Sequence, residues 1–327
     1  MNYEIMDCID AGTEYCPCHL AETGDCILCS QLSGKTFCDC INWKGVCIYQ
    51  EYIWNKNKAT EERKHYLCKI IEKEVVEENM VLYKIKVSHK LASELIYVGS
   101  YIFMRNPKCM QYYDAPISIM DSNTEEDWIK VVIELKGTKT RSIDLLGEND
   151  DILIRGPFWN GVFGLKNVLR AKDGTSLLII RGIGQAPALP VLKKLSANNN
   201  KLIIVLDCSP YKKIFIEDWL EEMDAKVLQC RMIDKGELTE EFKELLVRLL
   251  NEEKPNLVHC AGADILSYKV LNVVGDNMPM SCCNNARMCC GEGICGSCTV
   301  KTNDHKLRRL CKLQTEPKYV LNGRRSL

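Results

Sequence analysis

The stretch that decides the fold is Ser176–Pro187, SLLIIRGIGQAP, near the middle of the chain. Its apolar run predicts a buried strand, its two glycines predict a tight turn, and a helix is expected to follow. Such a turn lets the backbone approach a pyrophosphate at the helix N-terminus. A G-x-G turn alone is a weak signal, so its weight depends on the surrounding sequence. The candidate nucleotide-binding residues here are Gly182, Gly184, Gln185 and Pro187.

The following segments continue this alternation. Amphipathic patterns predict helices over 188–199, 215–223 and 239–255, and apolar runs predict strands over 201–209 and 256–263. Strands alternating with helices are typical of a doubly wound α/β fold. We therefore expect an NAD(P)-binding α/β domain over residues 172–275.

Asp207 ends the second of these strands, roughly 20 residues after the glycine turn, where an acid can accept a hydrogen bond from a ribose 2′-hydroxyl. A carboxylate there would repel a 2′-phosphate, which favours NAD(H). Lys212 and Lys213 follow closely and favour NADP(H) instead. The choice between the two nucleotides stays open.

Residues 65–168 show a different pattern of short β-like runs separated by turns. The runs are YLCKIIEKEVV, MVLYKIKVS, SYIFMR, WIKVVIEL and DILIRG. Several short strands at this spacing predict an antiparallel β-barrel. The expected fold class is thus multidomain β plus α/β.

Charge and hydropathy exclude several functions. The 327 residues carry 43 Lys and Arg against 44 Asp and Glu, a net charge of −1. Such a chain has no electrostatic attraction to nucleic acid or to an anionic membrane. No apolar run reaches the ~18 residues of a membrane helix, and the start, MNYEIMDCIDAG, lacks a secretory signal. We expect a cytoplasmic protein.

Cysteine is the unusual feature of the composition. Of 20 cysteines, eight fall within residues 8–47 and seven within 282–311. A long chain without an export signal favours metal ligation over disulfides, and we expect a reducing, anaerobic cytoplasm. We expect two separate metal-binding modules, residues 1–58 and 276–327, on either side of the core.

The C-terminal cysteines have a recognisable spacing, C-x4-C-x2-C-x12-C, formed by Cys290, Cys295, Cys298 and Cys311. This is the plant-type arrangement for a [2Fe–2S] cluster. Intervening glycines free the loop to wrap an inorganic core. Structural zinc is the alternative, but zinc loops usually combine two C-x2–4-C pairs, and only one C-x2-C occurs here.

The N-terminal cysteines match no named spacing. After Cys8 they form two C-x-C pairs around one C-x2-C pair, and His19 adds a possible ligand. Three interpretations are open: a further cluster, in the first place [4Fe–4S], structural zinc, or a redox disulfide relay. The candidate ligands are Cys16, Cys18, Cys26, Cys29, Cys38, Cys40 and Cys47.

This order of parts resembles the ferredoxin-reductase superfamily, and within it the electron-transfer subunits of dihydroorotate dehydrogenase. It is also similar to the small subunits of sulfide dehydrogenase and of NADH-dependent ferredoxin:NADP oxidoreductase. The resemblance rests on the glycine turn, the cysteine quartet, Pro116-Ile117-Ser118 and Gly137-Thr138. It implies that the barrel binds FAD through the last two motifs, and that Cys260 and Gly262 lie near the nicotinamide. The family's arginine before Pro-Ile-Ser is Ala115 here, and Arg105 or Arg141 could replace it.

These features together predict an iron–sulfur flavoprotein. The resemblance implies that electrons pass between NAD(H), FAD and [2Fe–2S], to or from a larger partner oxidoreductase subunit. The chain shows no acid–base or nucleophile constellation, so substrate chemistry is expected in the partner. A stand-alone NAD(P)H:acceptor oxidoreductase serving ferredoxin, or a flavin-free redox or structural scaffold, are the alternatives.

Overall fold

The chain divides into two units in the computed structural model, which describes residues 6–40, 43–302 and 305–321. One unit joins residues 1–64 to residues 286–324, and the other is formed by residues 65–285. The expectation of two separate terminal modules is therefore wrong. The two ends share a strand pairing and a set of buried charges.

The N-terminal part of the first unit has only short elements connected by turns. It contains few apolar residues, which limits the length of any helix or strand it can bury. The elements are strand β1 (Asp7–Cys8), helix α1 (His19–Glu22), a 3₁₀ turn (Gln31–Ser33) and helix α2 (Ile48–Trp54).

Residues 65–158 form the predicted antiparallel barrel. Its seven-stranded sheet has the order β5-β4-β8-β2-β3-β7-β6. Along β3, Val81, Tyr83 and Ile85 alternate into the barrel core, as the two-residue period of a strand requires. The elements are β2 (His65–Glu77), β3 (Met80–Lys86), α3 (His89–Leu95), β4 (Tyr101–Arg105), β5 (Ala115–Ser118), β6 (Asp121–Asn123), β7 (Trp128–Glu134), α4 (Thr138–Asp144) and β8 (Asp151–Phe158).

Residues 162–283 form the α/β layer. The elements are β9 (Val162–Phe163), α5 (Leu165–Arg170), β10 (Thr175–Arg181), α6 (Gln185–Ala197), β11 (Lys201–Asp207), α7 (Glu217–Glu222), β12 (Lys226–Gln229), β13 (Ile233–Asp234), β14 (Glu237–Leu238), α8 (Glu240–Glu253), β15 (Leu257–Ala261), α9 (Asp264–Val274) and β16 (Met280–Cys283).

The six-stranded sheet of this layer has the order β12-β11-β10-β15-β16-β9. The chain runs outward from β10 to β12 and then returns to β15 on the other side of β10. Ligands of open α/β sheets bind in the crevice at such a change of direction. β16 pairs in parallel with β15, so the domain runs past residue 275, its predicted end. Cys282 and Cys283 are buried in this sheet and are not part of the C-terminal cluster.

The C-terminal part completes the first unit with a hairpin, a short strand and a helix. These are β17 (Thr299–Lys301), β18 (Leu307–Arg309), β19 (Leu313–Gln314) and α10 (Pro317–Leu321). β19 pairs antiparallel with β1 from the other end of the chain, with Cys8 opposite Leu313. Within the described ranges, no helix is long and apolar enough to cross a bilayer.

Candidate cofactor sites

The glycine turn lies where the sheet changes direction, at the carboxyl ends of β10 and β15. A Cβ added at Gly184 would lie 2.3 Å from the carbonyl oxygen of Ala261, and Gly182 has a φ of +56°. A side chain at either position would therefore clash or strain the backbone. The two glycines let three strand ends approach one another and leave a crevice edged by backbone.

Gln185, at the end of this turn, forms hydrogen bonds to the backbone of the loop after β11. Its side chain is fully buried, donates to the carbonyl of Lys213 at 3.2 Å and accepts from the amide of Phe215 at 3.0 Å. It therefore fixes the loop after β11. Pro187 lies in the first turn of α6, where its missing N–H costs no helix hydrogen bond.

Asp207 is also committed to contacts within the chain. Its carboxylate accepts from the amides of Ser209 at 2.9 Å and Met232 at 3.0 Å, and from Nε of Arg181 at 3.1 Å. Burial alone would raise its pKa, but these hydrogen bonds outweigh burial and lower it. Asp207 thus shapes the crevice edge, with most of its acceptor capacity already used.

Cys260 and Gly262, predicted to lie near the nicotinamide, differ in position. Gly262 follows β15 and borders the glycine turn, since a Cβ at Gly184 would lie 3.1 Å from its nitrogen. Cys260 has no exposed surface, and burial raises the pKa of its thiol to about 12. The side chain of Cys260 thus packs within the sheet, and its place near the nicotinamide stays a prediction.

A basic cluster borders Pro116-Ile117-Ser118 in the barrel. Arg105 pairs with Asp114 at 2.6 Å, Arg155 pairs with the same carboxylate at 3.2 Å, and Lys139 donates to the Asp114 carbonyl at 2.8 Å. Three cations thus surround one acid, directly before Ala115. The excess of positive charge suits a pyrophosphate.

Arg105 lies next to the strand position that faces Ala115. It follows Met104, whose strand partner is Ala115. Among the described residues, its Nε is buried without a hydrogen-bond partner. A buried donor without a partner is costly, and an anion at this position would satisfy it. Arg141, the other predicted substitute, is exposed on α4.

Gly137 and Thr138 stand at the start of α4, close to this cluster. Gly137 is the residue before the helix, and a Cβ there would meet nothing within 4 Å. Lys139, one residue further, reaches Asp114. This contact brings the Gly137-Thr138 motif to the side of the Pro116-Ile117-Ser118 strand.

The four C-terminal cysteines form two neighbouring pairs. The amides of Glu292 and Cys295 point at Sγ of Cys290, at 3.4 and 3.5 Å. In the second pair, a hydrogen bond from the Cys311 thiol lowers the pKa of Cys298 to about 6, although burial opposes the shift. A two-iron cluster takes two protein ligands on each iron, so the paired thiols fit it.

The fold explains how Cys311 reaches a loop 13 residues upstream. β17 and β18 form a hairpin with Thr299 opposite Arg309, so Cys298 and Cys311 stand at its base. In the loop itself, Gly291, Gly293 and Gly296 all have positive φ. These glycines give the loop the curvature that the spacing predicts.

The N-terminal cysteines divide into two groups of four. Cys16, Cys18 and Cys26 line a cavity together with Cys8, which was not among the predicted ligands. Cys29, Cys38, Cys40 and Cys47 do not line it. Across residues 6–40, 43–302 and 305–321, no three His, Cys, Asp or Glu side chains converge closely enough for a single metal ion.

Four buried charges join the two ends of the chain in the first unit. Arg63 contacts Asp10 at 2.6 Å and Glu292 at 2.8 Å, and Lys312 contacts the same two acids at 2.5 and 3.1 Å. Glu292 lies inside the C-terminal cysteine loop and Lys312 follows Cys311. We call these four residues the buried tetrad. The sequence gives no sign of it, because its members are up to 302 residues apart.

Comparison with known proteins identifies the barrel. Residues 67–163 match the oxidoreductase FAD-binding domain family. Among curated relatives of the chain, the dihydroorotate dehydrogenase B (NAD(+)) electron transfer subunit of Clostridium acetobutylicum is 27% identical over 252 residues, 77% of this chain and 94% of that protein. The subunit of the same name from Fusobacterium nucleatum is 26% identical and covers 71% and 90%.

Solved structures agree on the reductase fold. The NADH-dependent reduced ferredoxin–NADP oxidoreductase superposes with a TM-score of 0.61 at 21% identity, covering 78% of this chain and 90% of that one. Phthalate dioxygenase reductase gives a TM-score of 0.53 at 15% identity, with 77% and 95% covered. The predicted combination of barrel and nucleotide-binding layer is confirmed.

Proposed function

We propose that this chain is the electron-transfer subunit of a larger oxidoreductase. It takes electrons from NADH onto FAD and passes them through a [2Fe–2S] cluster to a partner subunit, or in reverse. The observation that carries the proposal is the pairing of Cys290 with Cys295 and of Cys298 with Cys311, in a chain with an FAD-family barrel.

FAD would be held by the barrel. Arg105 would turn its buried Nε to the pyrophosphate, and Arg155 and Lys139 would add positive charge. Pro116, Ile117 and Ser118 would border the flavin from β5. When bound, FAD accepts two electrons together and releases them singly, which links a hydride donor to a one-electron iron centre.

The nicotinamide nucleotide would occupy the crevice at β10 and β15. Gly182, Gly184 and Gly262 keep side chains out of its edge, so that the backbone can approach the pyrophosphate. Asp207 and Gln185 would position the loop after β11. The curated relatives are NAD(+) enzymes by name, which supports NAD(H) here.

The substrate chemistry would belong to the partner. The relatives are named as electron transfer subunits, which supports a hetero-oligomer. The N-terminal cysteines would bind a further metal centre, iron–sulfur or zinc. Such thiol-rich sites fit a reducing cytoplasm.

The test compares Cys298→Ser with Cys289→Ser, an exposed cysteine next to the quartet and outside both pairs. In anaerobically purified protein, we expect Cys298→Ser to lose the two-iron absorbance and EPR signal and to keep FAD. Cys289→Ser should keep both. Equal iron and sulfide in the two variants would contradict the ligand assignment, and a wild-type protein without flavin would contradict the function.

A further inference from the structure

The cavity in the first unit brings together four thiols from separate turns. Cys8, Cys16, Cys18 and Cys26 line a small, partly open cleft. The rest of the lining is mainly apolar, with Pro17, Leu20 and Ile48 among its members. The apolar side chains around the thiols limit the access of water to any group that the thiols bind.

Each of the four cysteines is placed by a different local contact. Cys8 lies in β1, held against β19. Cys16 ends a turn in which its amide donates to the Thr13 carbonyl at 3.1 Å, and Cys18 is the residue before α1. The amide of Cys26 donates to the Leu32 carbonyl at 3.2 Å. These separate turns therefore bring the four thiols to the lining of one cleft.

We propose that Cys8, Cys16, Cys18 and Cys26 bind a [4Fe–4S] cluster in this cleft. Cysteine thiolates in a set of four are the usual ligands of such a cluster. A zinc ion would need its ligands to meet about 2.3 Å from one point, whereas these thiols are spread around a cleft. The amide of Cys29 already points at Sγ of Cys26, at 3.4 Å, as amides do around cluster sulfurs.

This ligand set differs from the one that spacing predicts. Cys8 enters it, although it belongs to no C-x-C or C-x2-C pair. The proposed set excludes four of the predicted ligands, Cys29, Cys38, Cys40 and Cys47, and the last three are exposed. The difference arises because β1 carries Cys8 to the cleft through its pairing with the other end of the chain.

The site lies beside the C-terminal cysteines. Cys8 is opposite Leu313 on the neighbouring strand, two residues after Cys311, and Asp10 and Lys312 join the same two segments at 2.5 Å. The inference rests on the proposed function for the role of the site: one electron at a time would pass between the two iron–sulfur centres, with no bond made or broken. Binding of the cluster itself does not depend on that role.

The experiment measures iron, acid-labile sulfide and flavin in the full chain, purified without oxygen. Wild type should hold about six iron atoms per chain, four of them in the cleft. Cys8→Ser and Cys26→Ser should each fall to about two iron atoms, with the [2Fe–2S] EPR signal and FAD retained. Those retained signals show in the same sample that the variants have folded.

Cys38→Ser and Cys47→Ser are the matched controls and should keep the wild-type iron content. Unchanged iron in Cys8→Ser, an equal loss in Cys38→Ser, or zinc in place of the additional iron would each overturn the assignment. Wild-type protein that holds two iron atoms and FAD and is reduced by NADH would overturn this inference but not the proposed function. Protein without FAD would overturn the proposed function while the iron count still tested the cleft.

Discussion

Residues 65–285 and the unit formed by the two ends of the chain are stabilised by different groups. The first region buries two large clusters of aliphatic side chains, one inside the barrel and one around the α/β sheet. The terminal unit buries fewer apolar residues. It also buries the four charges of the buried tetrad, and seven of the eight quartet and cleft thiols are at least partly buried. With the proposed clusters bound, a unit of that kind would gain much of its stability from metal bonds. The two regions should therefore respond differently to the same perturbation.

Metal removal should produce the largest difference between the two regions. We expect iron chelation to unfold residues 6–64 and 286–321 locally, because metal binding supplies folding free energy there. Residues 65–285 should keep their structure, since their cores contain no proposed ligand. Hydrogen exchange of the native and chelated protein measures both at once. Equal loss of protection in both regions would show that they do not differ in this way.

Breaking the buried tetrad should have the next largest effect. Lys312→Met would leave Arg63 as the one cation of the tetrad beside its two acids, Asp10 and Glu292, and such a buried imbalance costs about 3–5 kcal/mol. The loss should appear as faster exchange in the terminal unit. Lys243→Met, which breaks an exposed pair with Glu240 in the other region, is the control and should have little effect. If the two variants lose a similar free energy of unfolding, burial of the tetrad does not make it more important than an exposed ion pair.

Substitution of Arg105 tests how the barrel binds FAD. Arg105→Ala should weaken FAD binding by about 10- to 100-fold, the effect of losing one charge-assisted hydrogen bond. Arg141→Ala should bind FAD like wild type, because Arg141 is exposed on α4. Flavin fluorescence during titration of the apoprotein gives both dissociation constants. If Arg141→Ala is the weaker binder, the pyrophosphate lies elsewhere.

His259 gives the region of residues 65–285 a dependence on pH. Burial lowers the pKa of its imidazole from 6.5 to about 3. The folded state therefore stays neutral while the unfolded state takes up a proton, so stability is complete above pH 6.5 and falls as the pH drops toward 3. The slope is about 0.7 kcal/mol per pH unit at pH 6.5 and approaches about 1.4 near pH 5. The difference in unfolding free energy between wild type and His259→Gln should follow that slope from pH 7 to 5; parallel curves would contradict it.

The sequence predicts the region with the apolar cores far better than it predicts the terminal unit. The run Leu177–Ile180 and the turn after it have local causes, and both lie where expected. β16 escapes prediction because Cys282 and Cys283 resemble the cysteine tail, although buried cysteine behaves as a small apolar residue. Asp10 and Lys312 meet only through the pairing of β1 with β19, which no local pattern encodes.

The candidate sites also differ in how well the sequence predicts them. The quartet of Cys290, Cys295, Cys298 and Cys311 follows from spacing, because a short loop and one hairpin bring these thiols together. Cys8 and Arg105 become candidates only through strand pairing. Cys8 reaches its site because β1 pairs with β19 at the other end of the chain, and Arg105 because β4 pairs with β5 beside Ala115. Cys260 has the expected position in the chain, but its side chain is buried within the sheet.

Anaerobic titration of the purified chain with NADH, followed by absorbance and EPR, tests the central claim most directly. NADH should bleach both the flavin and the iron–sulfur bands and produce the EPR signal of a reduced [2Fe–2S] cluster, and Cys298→Ser should lack that signal. Protein that is colourless, or whose colour neither NADH nor NADPH changes, would contradict it.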